Sequence, residues 1–340
     1  MGTLASMADR EIPLNRAGCG SGGRLADRKL CVLSHVPLGL LARVGAELPS
    51  VELLQVPARG GLAPEVAGEV LLTQAWGSPN LGDVVARGVR WVHAYGTGVN
   101  VFPFEALGDR PLTCSRGASA IPISEWVLAV MLAAEKRLPE AWIDEPPEHW
   151  NIARFGGLGG LHGRTLGLIG VGGIGQAVAR RALAFGMRVL AYRRTAAASP
   201  LHGVEVAVDL GAVLEAADHL VLAAPATKET RHLLDRDALA RVKPGVHLVN
   251  VARGELVDHD ALRDALDDGR VSLASLDCVD PEPLPAGHWL YEHPKVRLSP
   301  HTSWSAPGAL DRLLDPFLEN LRRYLAGEPL DGLVDVELGY

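Results

Sequence analysis

The chain has 340 residues, more than one hydrophobic core usually serves, and 48% of them are hydrophobic, enough to fill two domains. Forty acidic against 33 basic residues give a formal charge of -7, which repels polyanions and argues against nucleic acid as a partner. The longest apolar run, Trp126 to Ala134, is far short of the roughly 20 residues a bilayer crossing requires, so no membrane partner is expected.

Residues 1 to 28 are rich in Gly, Ala, Ser and Arg, with Asp9, Arg10 and Glu11 where a signal peptide needs an apolar stretch; they are expected to form a disordered leader. From Leu30 onward, short β-branched runs alternate with amphipathic segments, the pattern of a parallel sheet built from βαβ units. A first group of expected strands covers Leu30 to Val36, Val51 to Val56, Glu69 to Gln74 and Val89 to Ala94. Next, Ile123, Trp126, Val127, Val130 and Met131 share one helical face, and a Pro/Gly-rich passage runs from Pro146 to Gly163. A second group of strands is expected at Thr165 to Ile169, Arg188 to Tyr192, His219 to Ala223, Val246 to Val251, Val271 to Leu276 and Val296 to Leu298. After Pro307, an apolar stripe of Leu310, Leu313, Leu314, Phe317, Leu321 and Leu325 predicts a helix that returns to the first unit. The four cysteines (Cys19, Cys31, Cys114, Cys278) form no CxxC pair, and no histidines stand at metal-ligand spacing. Neither a disulfide framework nor a metal site is expected, and a cytoplasmic location is the plain reading.

The strand at Thr165 to Ile169 runs into Gly170-Val171-Gly172-Gly173-Ile174-Gly175, a GxGxxG motif followed by helical spacing up to Gly186. The first glycine of such a motif permits a tight turn, the second lets backbone amides approach a pyrophosphate, and the third lets helix and strand pack closely. A fold that prefers NAD normally offers a carboxylate about 20 residues on, to bind the ribose 2′-hydroxyl. That position here reads Tyr192-Arg193-Arg194, with no Asp or Glu between Gly175 and Glu205. Two guanidinium groups suit a 2′-phosphate, so NADP(H) is favoured, with NAD(H) retained as the alternative.

Further on, the strand at Val246 to Val251 leads through Ala252 to Arg253 and Gly254, at the carboxyl edge where doubly wound folds hold their ligands. A guanidinium fork there suits the carboxylate or carbonyl oxygen of a 2-oxo acid. The next two strand ends bring Glu282 and His301, a carboxylate and an imidazole suited to giving and taking a proton near neutral pH. An arginine, a carboxylate and a histidine at consecutive strand ends beyond a dinucleotide motif predict hydride transfer at C2 of a small 2-oxo or 2-hydroxy acid.

These segments, with Ala224 to Arg231, Lys243 to Asp258, Leu276 to Pro285 and Ser299 to Trp304, resemble the D-isomer-specific 2-hydroxyacid dehydrogenase family from about Leu30 to the C-terminus. The resemblance implies an α/β protein of two doubly wound parallel-sheet domains, with a Rossmann cofactor domain (123–303) inserted in a flavodoxin-like substrate-binding domain (29–122 and 304–340). It implies Arg253 as the substrate-binding and carbonyl-polarising residue, His301 as general acid/base and Glu282 as its orienting carboxylate. Around the cofactor it places Gly170, Gly172, Gly173, Ile174, Gly175, Arg193, Arg194, Pro225, Thr230, Val251, Ala252, Arg253, Asp277 and His301. Around the substrate it places Gly96, Thr97 and Gly98, whose amides meet the carboxylate, together with Arg253 and His301; Trp304, just past His301, either walls the pocket or packs at the domain junction. It further implies a homodimer. Arg193 in place of the ribose-binding acid is similar to the pattern of NADPH-linked glyoxylate and hydroxypyruvate reductases. Two other functions on this fold stay open: a dinucleotide-sensing corepressor or scaffold, and a formate- or phosphite-type dehydrogenase.

Overall fold

The computed structural model describes residues 29–143, 145, 146, 150, 157–194 and 201–340; the expected leader, Cys19 and much of the Pro/Gly-rich passage lie outside them. The chain divides into two compact units, one running to Arg116 and resuming at Leu310, the other spanning Gly117–Ala309. The sequence placed these divisions at 122/123 and 303/304.

The first unit opens with β1 (Leu30–Ser34), α1 (Ala42–Glu47), β2 (Val51–Gln55), β3 (Val70–Gln74), α2 (Leu81–Val85), β4 (Trp91–Tyr95) and β5 (Leu112–Cys114). Its five strands are ordered β2-β1-β3-β4-β5, and every pairing is parallel. This is the flavodoxin-like order, with its switch point between β1 and β3. The continuous apolar runs follow from that topology, because a parallel sheet is covered on both faces; every residue of β4 is buried.

The second unit begins with α3 (Ala120–Lys136), then β6 (Thr165–Ile169), α4 (Gly173–Ala184), β7 (Arg188–Tyr192), β8 (Val204–Val206), α5 (Leu210–Ala216), β9 (His219–Leu222), α6 (Arg236–Ala240), β10 (Val246–Asn250), α7 (His259–Asp267), β11 (Val271–Leu276) and β12 (Val296–Leu298). Strand order β12-β11-β10-β9-β6-β7-β8, all parallel, is the Rossmann arrangement with one strand added at the β12 edge. Ile123, Val127 and Met131 of α3 are buried in one core with Leu166 and Leu168 of β6 and Val178 and Ala182 of α4, which explains why α3 lies whole in this unit. The opposite face packs α5, α6 and α7 through Leu214, Leu239, Leu262 and Leu266.

A buried polar chain crosses the first of these cores. His219 Nε2 and Glu135 Oε1 are 3.1 Å apart, the Nδ1 atoms of His219 and His247 are 3.1 Å apart, and His247 Nε2 is 3.0 Å from Ser275 Oγ. A carboxylate only accepts, so a neutral His219 must donate from Nε2 and accept at Nδ1. That makes His247 Nδ1 the next donor and leaves its Nε2 to accept from the Ser275 hydroxyl, so the whole chain points one way.

The chain then returns to the first unit as α8 (Ala309–Leu313) and α9 (Asp315–Ala326). The expected single stripe is broken at Leu314, where α9 starts with Pro316 in its first turn. Leu313, Leu314, Phe317 and Leu321 are buried, but Leu310 is 41% exposed because it precedes that break. Phe317 and Tyr324 lie 5.6 and 5.7 Å from the Trp91 ring, fixing α9 on β4. Among the described residues no helix is long and apolar enough to cross a membrane.

Candidate functional site

The turn from β6 into α4 has the steric character its glycines predict. Gly170 sits at φ +99°, and a Cβ there would meet the Ala223 carbonyl carbon at 2.7 Å and the Ala224 nitrogen at 2.8 Å. A Cβ on Gly175 would lie 2.1 Å from the Gly170 oxygen, which fixes helix against strand. At Gly172, by contrast, a Cβ would meet nothing within 4 Å. No side chain caps α4, so its first-turn amides, reached past a position with no side chain, form a cradle for an anionic group. Gly173 and Ile174 open that helix, with Ile174 packed on the α3 core.

β7 pairs with β6 so that Tyr192 lies opposite Ile169, and the Gly170 amide donates to the Tyr192 carbonyl at 2.9 Å. Arg193, half-buried, and Arg194, exposed, therefore leave the sheet directly beside the glycine turn. Beyond β9, Thr230 Oγ1 donates to the Pro225 carbonyl at 2.7 Å and accepts from the Thr227 amide at 2.8 Å, closing the next strand-end loop on itself. These residues fit a dinucleotide: an open amide cradle, with basic groups one strand away.

At the end of β10, Val251 and Ala252 are buried and Arg253 is half-buried in an extended conformation. Asn250 shapes this exit, accepting from the Ala252 amide at 3.0 Å and donating to the Arg253 carbonyl at 2.9 Å. Gly254 is required by a neighbour. A Cβ there would fall 1.9 Å from the Val279 carbonyl carbon and 2.3 Å from the Asp280 nitrogen, so only glycine lets the loop after β11 lie against Arg253.

That loop carries Glu282, between Pro281 and Pro283, both preceded by cis peptide bonds. Glu282 Oε1 accepts from the Val279 amide at 3.0 Å and Oε2 meets His301 Nδ1 at 2.8 Å. Burial works to raise the Glu282 pKa, but the hydrogen bond from His301, the Val279 amide and the charges of His301 and Arg253 together hold it below the ordinary carboxylate range. Its carboxylate is thus available to orient His301 and to stabilise the imidazolium.

His301 stands at φ +52°, in the left-handed region, and hydrogen bonds from both sides of the turn hold it there. Its amide donates to the Asp277 carbonyl at 3.0 Å. The buried Asp277 carboxylate accepts from the Ser299 hydroxyl, from the Thr302 amide at 2.9 Å and from the Ser303 amide at 3.0 Å. Trp304 Nε1 donates to the His301 carbonyl at 2.9 Å, so this indole braces the turn. Asp277, expected at the cofactor, has both carboxylate oxygens engaged with the His301 turn.

The fold thus gathers Arg253, Glu282 and His301 at one sheet edge of the second unit, together with the glycine cradle. Gly96, Thr97 and Gly98 lie in the first unit at the carboxyl end of β4, where Thr97 Oγ1 donates to the Ser115 carbonyl at 3.3 Å. One grouping escapes sequence spacing altogether: a Cys278, a Glu282 and a His301 ligand atom lie within 4.8 Å of one another. Cys278 itself is buried, and burial pushes its thiol pKa up. Gly254 and Asn250 were also not singled out as site residues. Their signal is the context of a strand leaving the sheet at an arginine, where backbone must be both tied down and uncrowded.

Residues 128–303 match the model of the D-isomer specific 2-hydroxyacid dehydrogenase, NAD binding domain. A glyoxylate reductase of Korarchaeum cryptofilum is 36% identical over 67% of this chain and 70% of its own length. A D-3-phosphoglycerate dehydrogenase of Methanocaldococcus jannaschii is 31% identical over 85% of this chain, which spans only 56% of that relative's length. Among solved structures, an NADPH-dependent glyoxylate/hydroxypyruvate reductase from Sinorhizobium meliloti, in complex with NADP and sulfate, aligns with a TM-score of 0.76 at 25% identity, covering 92% of this chain and all of the other.

Proposed function

Because the chain belongs to the D-isomer specific 2-hydroxyacid dehydrogenase family, we propose that it reduces a small 2-oxo acid to the D-2-hydroxy acid, with a substrate of the glyoxylate or hydroxypyruvate type and NADP(H) as preferred cofactor. The observation that carries this reading is the 2.8 Å His301–Glu282 pair beside Arg253, at the same sheet edge as an open glycine cradle. The nicotinamide cofactor supplies the hydride. Gly172 and the first amides of α4 hold its pyrophosphate, Pro225, Thr230, Val251 and Ala252 bound its pocket, and Arg193 and Arg194 take the 2′-phosphate. The unit spanning Gly117–Ala309 is the cofactor domain in this reading, and the other binds substrate.

Arg253 grips the substrate and stabilises negative charge that builds on the C2 oxygen as hydride arrives at C2. His301 gives that oxygen a proton, and Glu282 holds the ring by Nδ1 and offsets the imidazolium charge. Gly96, Thr97 and Gly98 offer backbone amides to the substrate carboxylate, and Trp304 walls the pocket near His301. Asp277 acts through the His301 turn as a positioning residue. The protein works as a cytoplasmic homodimer in this reading.

The test is loss of nicotinamide absorbance when purified protein meets NADPH or NADH with glyoxylate, hydroxypyruvate, pyruvate or a bulkier 2-oxo acid. Turnover best with NADPH and a two- or three-carbon acid is expected. Equal or better use of NADH would overturn the role given to Arg193 and Arg194, and no turnover despite cofactor binding would overturn the activity.

A further inference from the structure

We propose that Cys278, Glu282 and His301 form an inhibitory site for a thiophilic divalent cation such as Zn2+. Inhibition rests on the reading of Glu282 and His301 as the proton-transfer pair, whereas cation binding rests on geometry alone. A thiol sulfur, a carboxylate oxygen and an imidazole nitrogen lie within 4.8 Å of one another. Zinc bonds of about 2.0 to 2.3 Å in a tetrahedral set separate ligand atoms by about 3.5 Å, so shifts of about 1 Å complete three corners, the 2.8 Å His301–Glu282 pair parting as the metal enters.

The freedom for that movement is unevenly distributed in a useful way. The Glu282 and His301 side chains are 38% and 39% exposed and have room to swing, while Cys278 is 1% exposed and fixed at the end of β11. The backbones that carry them are braced by Gly254, which brings the Glu282 loop against β10, and by Asp277, which ties down the His301 turn. The site therefore has one anchored soft ligand and two adjustable ones, with its fourth corner left to water.

A set of one sulfur, one nitrogen and one oxygen discriminates among ions. Mg2+ and Ca2+ take oxygen ligands, whereas thiolate and imidazole favour Zn2+ and its softer neighbours. On binding, the cation displaces the thiol proton to solvent and forms the sulfur–metal bond, while the imidazole and carboxylate lone pairs complete the set. With Nδ1 bonded to metal instead of sharing a proton with Glu282, His301 is held as a neutral imidazole; its one remaining proton, on Nε2, could leave only by forming an imidazolate, so the ring no longer serves as the acid for a substrate oxygen. Cys278 takes no part in the proposed hydride transfer, which lets the two roles of this corner be separated by one substitution.

The full chain, wild type and Cys278→Ser, is titrated with Co2+ and followed by absorption, and Zn2+ affinity is read by competition. Wild type should show thiolate-to-cobalt charge transfer with the visible bands of a tetrahedral site, at one ion per chain. Cys278→Ser should lose the charge-transfer band and weaken Zn2+ binding at least as much as the roughly 10- to 100-fold that loss of an outer-shell partner costs. In turnover assays Zn2+ should inhibit wild type, a chelator should reverse it, and Cys278→Ser should keep its basal rate and resist. Absence of the charge-transfer band in wild type, or its persistence in Cys278→Ser, overturns the site even where turnover is normal. A band lost with Cys278→Ser supports the site even where no 2-oxo acid is turned over, so the two readings fail separately.

Discussion

Lowering the pH from about 7.5 to about 5 should destabilise the first unit through a histidine that has no room for charge. His93 is fully buried on β4, with Nδ1 2.7 Å from Thr113 Oγ1 and Nε2 3.3 Å from Ser115 Oγ, and burial lowers its pKa from 6.5 to about 3. Because the folded value lies below the unfolded one, the unfolded chain binds more protons between about pH 3 and 6.5. The stability is therefore complete above 6.5 and is lost as pH falls through that window. At pH 5 one such group accounts for about 2 kcal/mol. His35, lowered by burial to about 4, adds a similar loss in the same unit, and His247, lowered by burial and by the neighbouring His219, does so in the other. The window isolates histidines because carboxylates held low, such as Asp218 and Glu282, remain ionised at pH 5 in the folded state and nearly so in the unfolded one. The assay is urea unfolding by circular dichroism at both pH values, for wild type and His93→Gln. The variant should recover about 2 kcal/mol of the wild-type pH loss in the first unit. Equal pH losses in the two proteins, or no loss in wild type, would refute the reasoning.

Replacing His301 by Ala should slow turnover by roughly 100-fold or more while cofactor affinity, read by fluorescence titration, changes little. Arg253→Ala should raise KM and lower kcat together, since one guanidinium serves both binding and charge stabilisation; a change in KM alone would contradict its polarising role. Gly254→Ala should separate Glu282 from His301 by displacing the loop at Val279 and Asp280, cutting kcat by at least about tenfold while the cofactor still binds. Arg193→Asp should shift the kcat/KM ratio toward NADH, and an unchanged ratio would place the 2′-phosphate elsewhere.

Much of this architecture was legible because parallel sheets write their strands as apolar runs: eight of the expected segments keep both ends within one residue of those observed, among them Thr165–Ile169 and Val271–Leu276. β5 and β8 have three residues each at a sheet edge, too few for a period to register, and unlike the equally short β12, which runs into the Ser299–Trp304 segment, neither leads into a recognisable motif. Leu310 was expected in the returning stripe, and the turn before Asp315 and Pro316 rotated it out. Chemistry at strand ends was legible for Arg253, Glu282 and His301 because residue type and order suffice there. The brace made by Asp277, the crowding over Gly254 and the nearness of Cys278 to Glu282 and His301 depend on how loops fold back, which no spacing along the chain encodes.

The aromatic seam between Trp91, Phe317 and Tyr324 has a bearing on how the polypeptide is made. β4 emerges from the ribosome early, yet the helix that shields Trp91 and His93 is translated after the whole of the inserted unit. The inserted unit is complete by Ala309 and has its own core, so it has the means to fold first, while the earlier-made half waits with an indole and an imidazole uncovered. For the interval in which Gly117–Ala309 is being synthesised, the nascent chain holds this aromatic surface open, and that is when chaperones would find it.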